Sequence, residues 1–430
     1  MKRVLVITYY WPPSGGAGVQ RWLKFTKYLP EFGWQPIVIT IRPEDATYPV
    51  VDHSFEKEVS KDIRIIKTPG KDVFRIYKKI FRPKNIPNAG FANEDTNILK
   101  QKIARFIRGN FFIPDPRKSW NRYAYRSAAR ILTEEKNIKC IITSSPPHST
   151  QLIGLKLSKK FAIPWLADLR DPWTDIYYYR QLYPTFPADS LNQWYEKRIF
   201  RNAHQVLTVG PSLKDLFLQK HRIGENKIQV LYNGFDEDDF KELPQTKEDE
   251  FTITYVGTLS DLYPIETLID SVQEKLKDHP GIRLRFVGSV SVNQRKVLDR
   301  LPGKNVEFIN QVDHPLAIEY MVRSNVLLLV IPEHTSGKGI VTGKIFEYLA
   351  SGTPILGIGP PDGDSARIIR EAEKGFLLNY NDKAGLSSAL STFIDGPSDS
   401  LAPHQNTSYL RYSRKTLAGE LAQIMNNLVD

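Results

Sequence analysis

Lys344 and Glu347 stand three residues apart in the stretch GKIFEYLASGTPILG, residues 343–357. On a helix that spacing turns both side chains toward one side. A lysine is a compact point charge suited to a diphosphate. A carboxylate accepts hydrogen bonds from two ribose hydroxyls, each such charge-assisted bond contributing about 1.5–3 kcal/mol. An ordinary surface ion pair at i, i+3 has the same spacing and no ligand. Gly352-Thr-Pro354 then breaks the helix and turns the chain into a strand.

Trp11–Arg21 is a second candidate, a glycine-rich loop between a predicted strand and a predicted helix. Backbone N–H groups in such a loop can approach an anion, with Gly15, Gly16 and Arg21 lining it. The spacing Gly15, Gly16, Gly18 is not the GxGxxG fingerprint, so a nicotinamide cofactor is not indicated. His148, in Ser144-Ser-Pro-Pro-His148, and Asp171, in Asp168-Leu-Arg-Asp-Pro-Trp173, each follow a predicted strand. Either could orient an acceptor hydroxyl or assist its deprotonation. The alternatives are a structural histidine and an internal ion-pair network. No metal is expected: Asp236-Glu-Asp238 lies in an acidic stretch, and Asp362-Gly-Asp364 reads as a helix start, where carboxylates are favourable anyway.

The elements that must position these residues alternate between short apolar strands and helices. Lys2–Tyr10, Gln35–Ile41, Ile63–Lys67, Ile138–Ser144, Pro164–Asp168, Gln205–Val209 and Lys227–Leu231 read as strands buried on both faces. Helices are expected over Val19–Glu31, Tyr123–Glu135 and Thr150–Phe161. The pattern starts afresh at Phe251–Leu259. It continues through a helix at Pro264–Lys277 and strands at Ile282–Gly288, Val306–Ile309, Val326–Ile331, Pro354–Gly357 and Phe376–Leu378. Alternation of this kind implies parallel sheets with right-handed crossovers. The expected fold class is therefore α/β, with two doubly wound domains that bind ligands at the carboxyl ends of their strands. The domains are expected at 1–235 and 251–408, joined by an acidic linker at 236–250, with 409–430 closing the chain.

A chain of 430 residues suits two such domains. Its one cysteine, Cys140, excludes an intramolecular disulfide. The apolar opening Val4–Trp11 ends at Pro12-Pro13 without a small-residue cleavage pattern, so it reads as a strand rather than a signal peptide. Together with the absence of any apolar run of about 20 residues, this gives an expected cytoplasmic location. Residues 1–235 hold 39 Lys/Arg against 20 Asp/Glu, and residues 236–430 hold 20 against 28. The net charge of +11 therefore divides into +19 and −8. The basic part is expected to face something anionic. Lys71–Lys84 and Lys100–Arg108 both read as basic amphipathic helices able to lie on an anionic membrane surface, on the inner face of the cell membrane. The alternative is that they pack on the domain with their charges in water. No nucleic-acid motif is present, so no nucleic-acid partner is expected.

Taken in order, these segments resemble the retaining, family 4 type of glycosyltransferase with the GT-B architecture. The glycine loop is similar to that family's amino-terminal loop, KIFEYLASGTP (344–354) to its donor-site helix, and Asn233-Gly-Phe235 to its approach to the linker. Tyr412-Ser-Arg-Lys415 resembles the segment that crosses back to the first domain. The resemblance implies two Rossmann-like domains facing across a cleft, with a C-terminal helix returning to the first. It also implies a nucleotide-sugar donor whose ribose Glu347 holds; Lys344 and Lys338 are then expected to balance its diphosphate, with Gly257 lining the donor site and His148, Asp171 and Lys344 as the candidate catalytic residues. The acceptor would be a saccharide, lipid-linked or otherwise, with retention of configuration and no cofactor or metal. The product would belong to cell-surface polysaccharide or glycolipid synthesis. Two departures stand out: Gly339 occupies the position eight before Glu347 where many members carry a first glutamate, and Gly257–Tyr263 lacks their Arg and Lys. The rival readings are a sugar-nucleotide epimerase of the same plan and a non-catalytic basic module for anionic lipid or nucleic acid.

Overall fold

The computed structural model describes residues 1–71, 98–241, 243, 246–334, 337–396 and 407–429. Apart from Lys71, the predicted basic helix Lys71–Lys84 lies outside them. The chain divides into two compact units, Met1–Tyr232 with Arg414–Asp430, and Asn233–Ser413.

The first unit is built on seven strands: β1 (Lys2–Ile7), β2 (Trp34–Ile41), β3 (Arg64–Thr68), β4 (Ile138–Ser145), β5 (Trp165–Leu169), β6 (Gln205–Thr208) and β7 (Ile228–Val230). They form one parallel sheet in the order β3-β2-β1-β4-β5-β6-β7. Both faces are covered, which is why these strands are near-continuous apolar runs. One face meets the helices Asn121–Glu134, Gln151–Phe161 and Phe186–Asn202 through Ala128, Ile131, Leu155, Ile199 and Phe200. The other meets Ala17–Tyr28 and the last helix, Arg414–Val429, through Trp22, Leu23, Leu417, Leu421 and Met425. The C-terminal helix is thus part of the first unit's core. Strand order reverses between β1 and β4, and the Trp11–Gly18 loop and the Ser145–His148 turn emerge at that point. A crevice for ligands is expected there.

The second unit repeats the plan with β8 (Thr252–Val256), β9 (Arg283–Val287), β10 (Val306–Ile309), β11 (Val326–Val330), β12 (Ile355–Ile358) and β13 (Gly375–Leu378). Their order is β10-β9-β8-β11-β12-β13, all parallel, with the switch between β8 and β11. The sequence predicts a separate linker over 236–250, and here the structure differs. Asp236 caps a short helical turn, Glu237–Phe240, with its carboxylate. Glu248 pairs with Arg285 at 2.9 Å and with Arg323 at 3.4 Å. The Lys247 ammonium donates to the carbonyls of Val322 and Ser324 and to Thr353 Oγ1, each at 2.8 Å. Charges that look like solvated linker in sequence are tied into the second unit.

One buried ion pair holds the first unit's switch point. Asp168 and Arg21 meet at 2.9 Å with both side chains fully buried. Removing one partner strands the other, at a cost of about 3–5 kcal/mol. Asp168→Ala should lower the urea-unfolding free energy by about that amount, and Asp168→Leu with Arg21→Met should recover most of it. A loss below about 1 kcal/mol in the single variant would rank the pair with exposed salt bridges.

Candidate active site

In the second unit, the site residues gather where β8 ends. Gly257 follows β8 with φ +118°, a conformation that a side chain strains against, and its N–H bonds to the Val287 carbonyl at 2.8 Å. A Cβ there would stand 3.0 Å from Lys344 Nζ, so glycine leaves room for the ammonium. Lys344 opens the helix Lys344–Ala350, and its ammonium lies 4.0 Å from the centroid of the Tyr255 ring. That cation–π contact gives partial compensation for leaving water. Burial pulls the Lys344 pKa down to about 7, against the opposing pull of Glu347. One turn on, Glu347 accepts from or shares a proton with His314 Nε2 at 3.0 Å. Tyr348 beside it takes the Val256 N–H at 3.1 Å and so docks the helix on β8. A titratable cation and a carboxylate therefore share one helix at the switch point of this sheet.

In the first unit, Gly16 has φ +92° and precedes the helix Ala17–Tyr28. Gly15 is pinned by its N–H to the Val50 carbonyl at 2.9 Å. Gly18 leaves room for Arg170, whose Nη1 would stand 2.5 Å from a Cβ there. Arg170 is aimed by its Nε, which donates to the Ser145 carbonyl at 2.9 Å. His148 stacks on Trp173 with centroids 4.9 Å apart, and its Nδ1 is buried without a hydrogen-bond partner. Burial lowers the His148 pKa, while Asp115 and Asp171 pull it up. At neutral pH the ring is therefore uncharged and can accept a proton.

The sequence profile of Glycosyltransferase Family 4 matches residues 15–239, and that of the Glycosyl transferases group 1 matches 236–409. The chain belongs to glycosyltransferase family 4. No curated protein matches the sequence. Among solved structures, HepE of Anabaena in complex with UDP aligns with TM-score 0.63 at 13% identity, over 100% of both chains. The sucrose-phosphate synthase of Thermosynechococcus elongatus aligns with TM-score 0.60 at 17% identity, over 100% of this chain and 99% of that one. WaaG, a glycosyltransferase of lipopolysaccharide biosynthesis, aligns with TM-score 0.57 at 14% identity, over 98% and 99%. At these identities the likeness establishes the fold, which is the GT-B type.

Within this glycosyltransferase the structure brings Gly257, Lys344 and Glu347 together, and places Gly15, Gly16, His148 and Asp171 at the carboxyl edge of the other sheet. Two predicted site residues fall elsewhere. Arg21 is not available to a ligand: one Nη bonds Asp168 and the other bonds the carbonyls of Leu231 and Tyr232 at 2.8 and 2.7 Å. It belongs to the core because its helix turns that face inward. Lys338 is exposed, in the turn Gly337–Gly339, and paired with exposed Asp362. Asp168 joins Arg21, Trp22 and Ser144 rather than Arg170. Asp364 begins a helix, as expected, and pairs with Arg367.

His314 was not legible as a site residue. Its sequence signal is only that of a helix start, Asp313 capping the helix His314–Arg323. Its meeting with Glu347 depends on the sheet order. The Lys344 pKa gives a direct test. With its Nζ methylated and observed by NMR, Lys344 should titrate near pH 7 while exposed lysines remain near about 10.4. The unfolded chain holds this proton up to about 10.4, so between the two values this group makes folding more favourable as pH rises. A midpoint in the exposed-lysine range would mean that the ammonium is solvated.

Proposed function

We propose that this glycosyltransferase takes its sugar from a nucleotide-sugar donor bound on the second unit and transfers it with retention of configuration. The observation that carries the reading is the Lys344–Glu347 pair at the end of β8. Glu347, oriented by His314, receives the ribose hydroxyls. Lys344 takes up the charge of the leaving diphosphate and needs no metal to do so. Held beside the phosphate as an ammonium, it stabilises the negative charge that builds on the leaving oxygen as the glycosidic bond breaks. The bond from the sugar's anomeric carbon to the phosphate oxygen breaks as the acceptor oxygen bonds to that carbon from the same face. The acceptor proton passes to the leaving phosphate, with His148 and Asp171 orienting the acceptor. The family resemblance supports retention, and HepE was solved with UDP bound. A role in cell-surface polysaccharide or glycolipid synthesis is in keeping with WaaG, which is involved in lipopolysaccharide biosynthesis.

Calorimetric titration with UDP, GDP and several sugar nucleotides, run with and without divalent metal, tests the donor site. We expect saturable binding without metal that weakens at least about a hundredfold in Glu347→Ala, as loss of two charge-assisted hydrogen bonds requires. Release of nucleotide only in the presence of an acceptor would argue against the epimerase reading. No binding to any nucleotide would favour the non-catalytic module.

The same enzyme is proposed to sit peripherally on an anionic membrane, and one surface supports this. No helix among the described residues is long and apolar enough to cross a membrane. Helix Ile98–Phe111 nonetheless exposes Leu99, Ile103, Phe106 and Phe111, and the neighbouring helix Phe186–Asn202 exposes Phe186 (85%) and Trp194. Asn110 clamps the two together, taking the Thr185 N–H and donating to the Tyr183 carbonyl. Six basic residues and one acid lie in 98–118. Apolar tips amid basic residues match an anionic lipid interface. Phe111→Asp with Phe186→Asp should abolish sedimentation with anionic vesicles; equal pelleting with zwitterionic vesicles would remove charge as the cause.

A further inference from the structure

We propose that the acceptor is anionic: a saccharide whose phosphate or carboxylate group is held by Arg117 and Arg170 while its ring lies against Tyr10 and Tyr48. This rests on the acceptor occupying the first unit, as proposed above. Four loops converge at the carboxyl edge of that unit's sheet. Tyr10 follows β1, Tyr48 follows β2, His148 follows β4 and Arg170 follows β5. Tyr10 packs on Tyr48 with ring centroids 6.3 Å apart. The Arg117 guanidinium carbon lies 5.5 Å from the Tyr9 ring centroid and 5.4 Å from that of Tyr10, and its Nη2 donates to the Thr47 carbonyl at 3.5 Å. Contact with these rings holds the planar cation in place beside Tyr10.

Arg170 is fixed by one bond, from Nε to the Ser145 carbonyl, and its two Nη atoms abut Gly18. No carboxylate pairs with those Nη atoms among the described residues. The fork is thus aimed but unfilled, and it is a shape that matches an oxyanion in bidentate fashion. Burial raises the Tyr10 pKa and Asp115 adds to that, while Arg117, Arg108 and Arg170 pull the other way.

The nearby acid does not supply the missing counter-charge to Arg170. Asp115 accepts from the Arg117 N–H at 2.9 Å, the Ser149 N–H at 2.7 Å and the Ser149 hydroxyl at 2.9 Å. Its oxygens are engaged by neutral donors that build the loop. Two further groups lack partners: the Tyr48 hydroxyl and His148 Nδ1 are both buried with no hydrogen bond. An unsatisfied buried polar atom costs about 1–3 kcal/mol, a cost that a bound polar ligand removes. Aromatic faces, an open guanidinium fork and orphaned polar atoms together describe a site for a charged sugar. A neutral glucoside would leave the fork unfilled.

The test titrates full-length protein, saturated with UDP, with glucose 6-phosphate, glucuronate, glucose and inorganic phosphate. We expect at least one charged sugar to bind at least about tenfold more tightly than glucose, as a charge-assisted bidentate contact implies. The preference for phosphate or carboxylate identifies the anionic group. Arg170→Gln and Arg117→Gln should each remove that preference, and Arg117→Lys should retain part of it. Tyr48→Phe should weaken charged and neutral sugars alike. UDP affinity, measured separately, should change less than about twofold in every variant. Equal binding of glucose and both charged sugars, or no saturable binding of either, overturns the proposal. So does inorganic phosphate binding as tightly as glucose 6-phosphate, since that marks a plain anion site. If Arg170→Gln weakens UDP instead, the fork belongs to the donor and the proposal fails. A failure of UDP binding in the unaltered protein strikes the donor reading alone.

Discussion

The switch point of the first unit's sheet is anchored on one buried carboxylate. Asp168 sits on β5 with no exposure and receives Arg21, the Trp22 indole N–H and the Ser144 hydroxyl, at 2.8–2.9 Å. Its main-chain oxygen takes the Ser145 hydroxyl and the Gln151 amide. Burying a charge costs several kcal/mol, and only full satisfaction offsets it. Here the satisfaction comes from the helix Ala17–Tyr28, from β4 and from the helix Gln151–Phe161. These are the elements that flank the sheet's switch point. The same Arg21 also binds the carbonyls of Leu231 and Tyr232, where the chain leaves the unit. The glycine loop, the His148 turn and Arg170 are thus mounted on a rigid centre that the ligand does not touch.

The second unit handles its lysines in two contrasting ways. Lys247 is surrounded by three oxygens and has a structural end to its charge, even though burial lowers its pKa to about 8. Lys344 is partly buried, yet its ammonium is given an aromatic face and no oxygen among the described residues. The fold satisfies one and withholds satisfaction from the other. Placing the withheld charge at the end of β8, over a glycine held at positive φ, makes it an electrostatic feature waiting for an anion. The missing Arg and Lys of Gly257–Tyr263 therefore leave Lys344 as the cation at this position.

The strands and their parallel pairing were legible because both faces of each sheet are covered, and that leaves a continuous apolar signature in segments such as Val326–Val330. The helix carrying Lys344 and Glu347 was legible because its signal is local, confined to one turn before a Gly-Thr-Pro break. What sequence could not supply was everything decided by neighbours distant in the chain. Arg21 looked like a loop cation because the glycines precede it, but its helical face turns toward Asp168, 147 positions away. Lys338 reads in sequence as a second cation for the diphosphate, and the structure pairs it with Asp362 on the surface. His314 and the Arg117–Tyr10 contact carry no local signal. Each becomes visible only when sheet order brings separate loops to one edge.

Charge asymmetry has the same dependence on placement. The +19 of residues 1–235 reads as one property in sequence, but the structure divides it between two physical regimes. Lys102 and Arg180 are exposed, and charges of this kind act through water, where salt screens them over about 10 Å at 0.1 M. Arg117 and Arg170 are partly buried beside tyrosine rings and protein carbonyls, where screening is weaker and each contact is worth more. A membrane surface requires the first kind and gains little from fixed geometry. A single phosphate or carboxylate requires the second, because only a guanidinium already held in place can bind it without a large ordering cost. The basic unit can therefore hold a charged acceptor and approach a charged surface without either function competing for the same arginines.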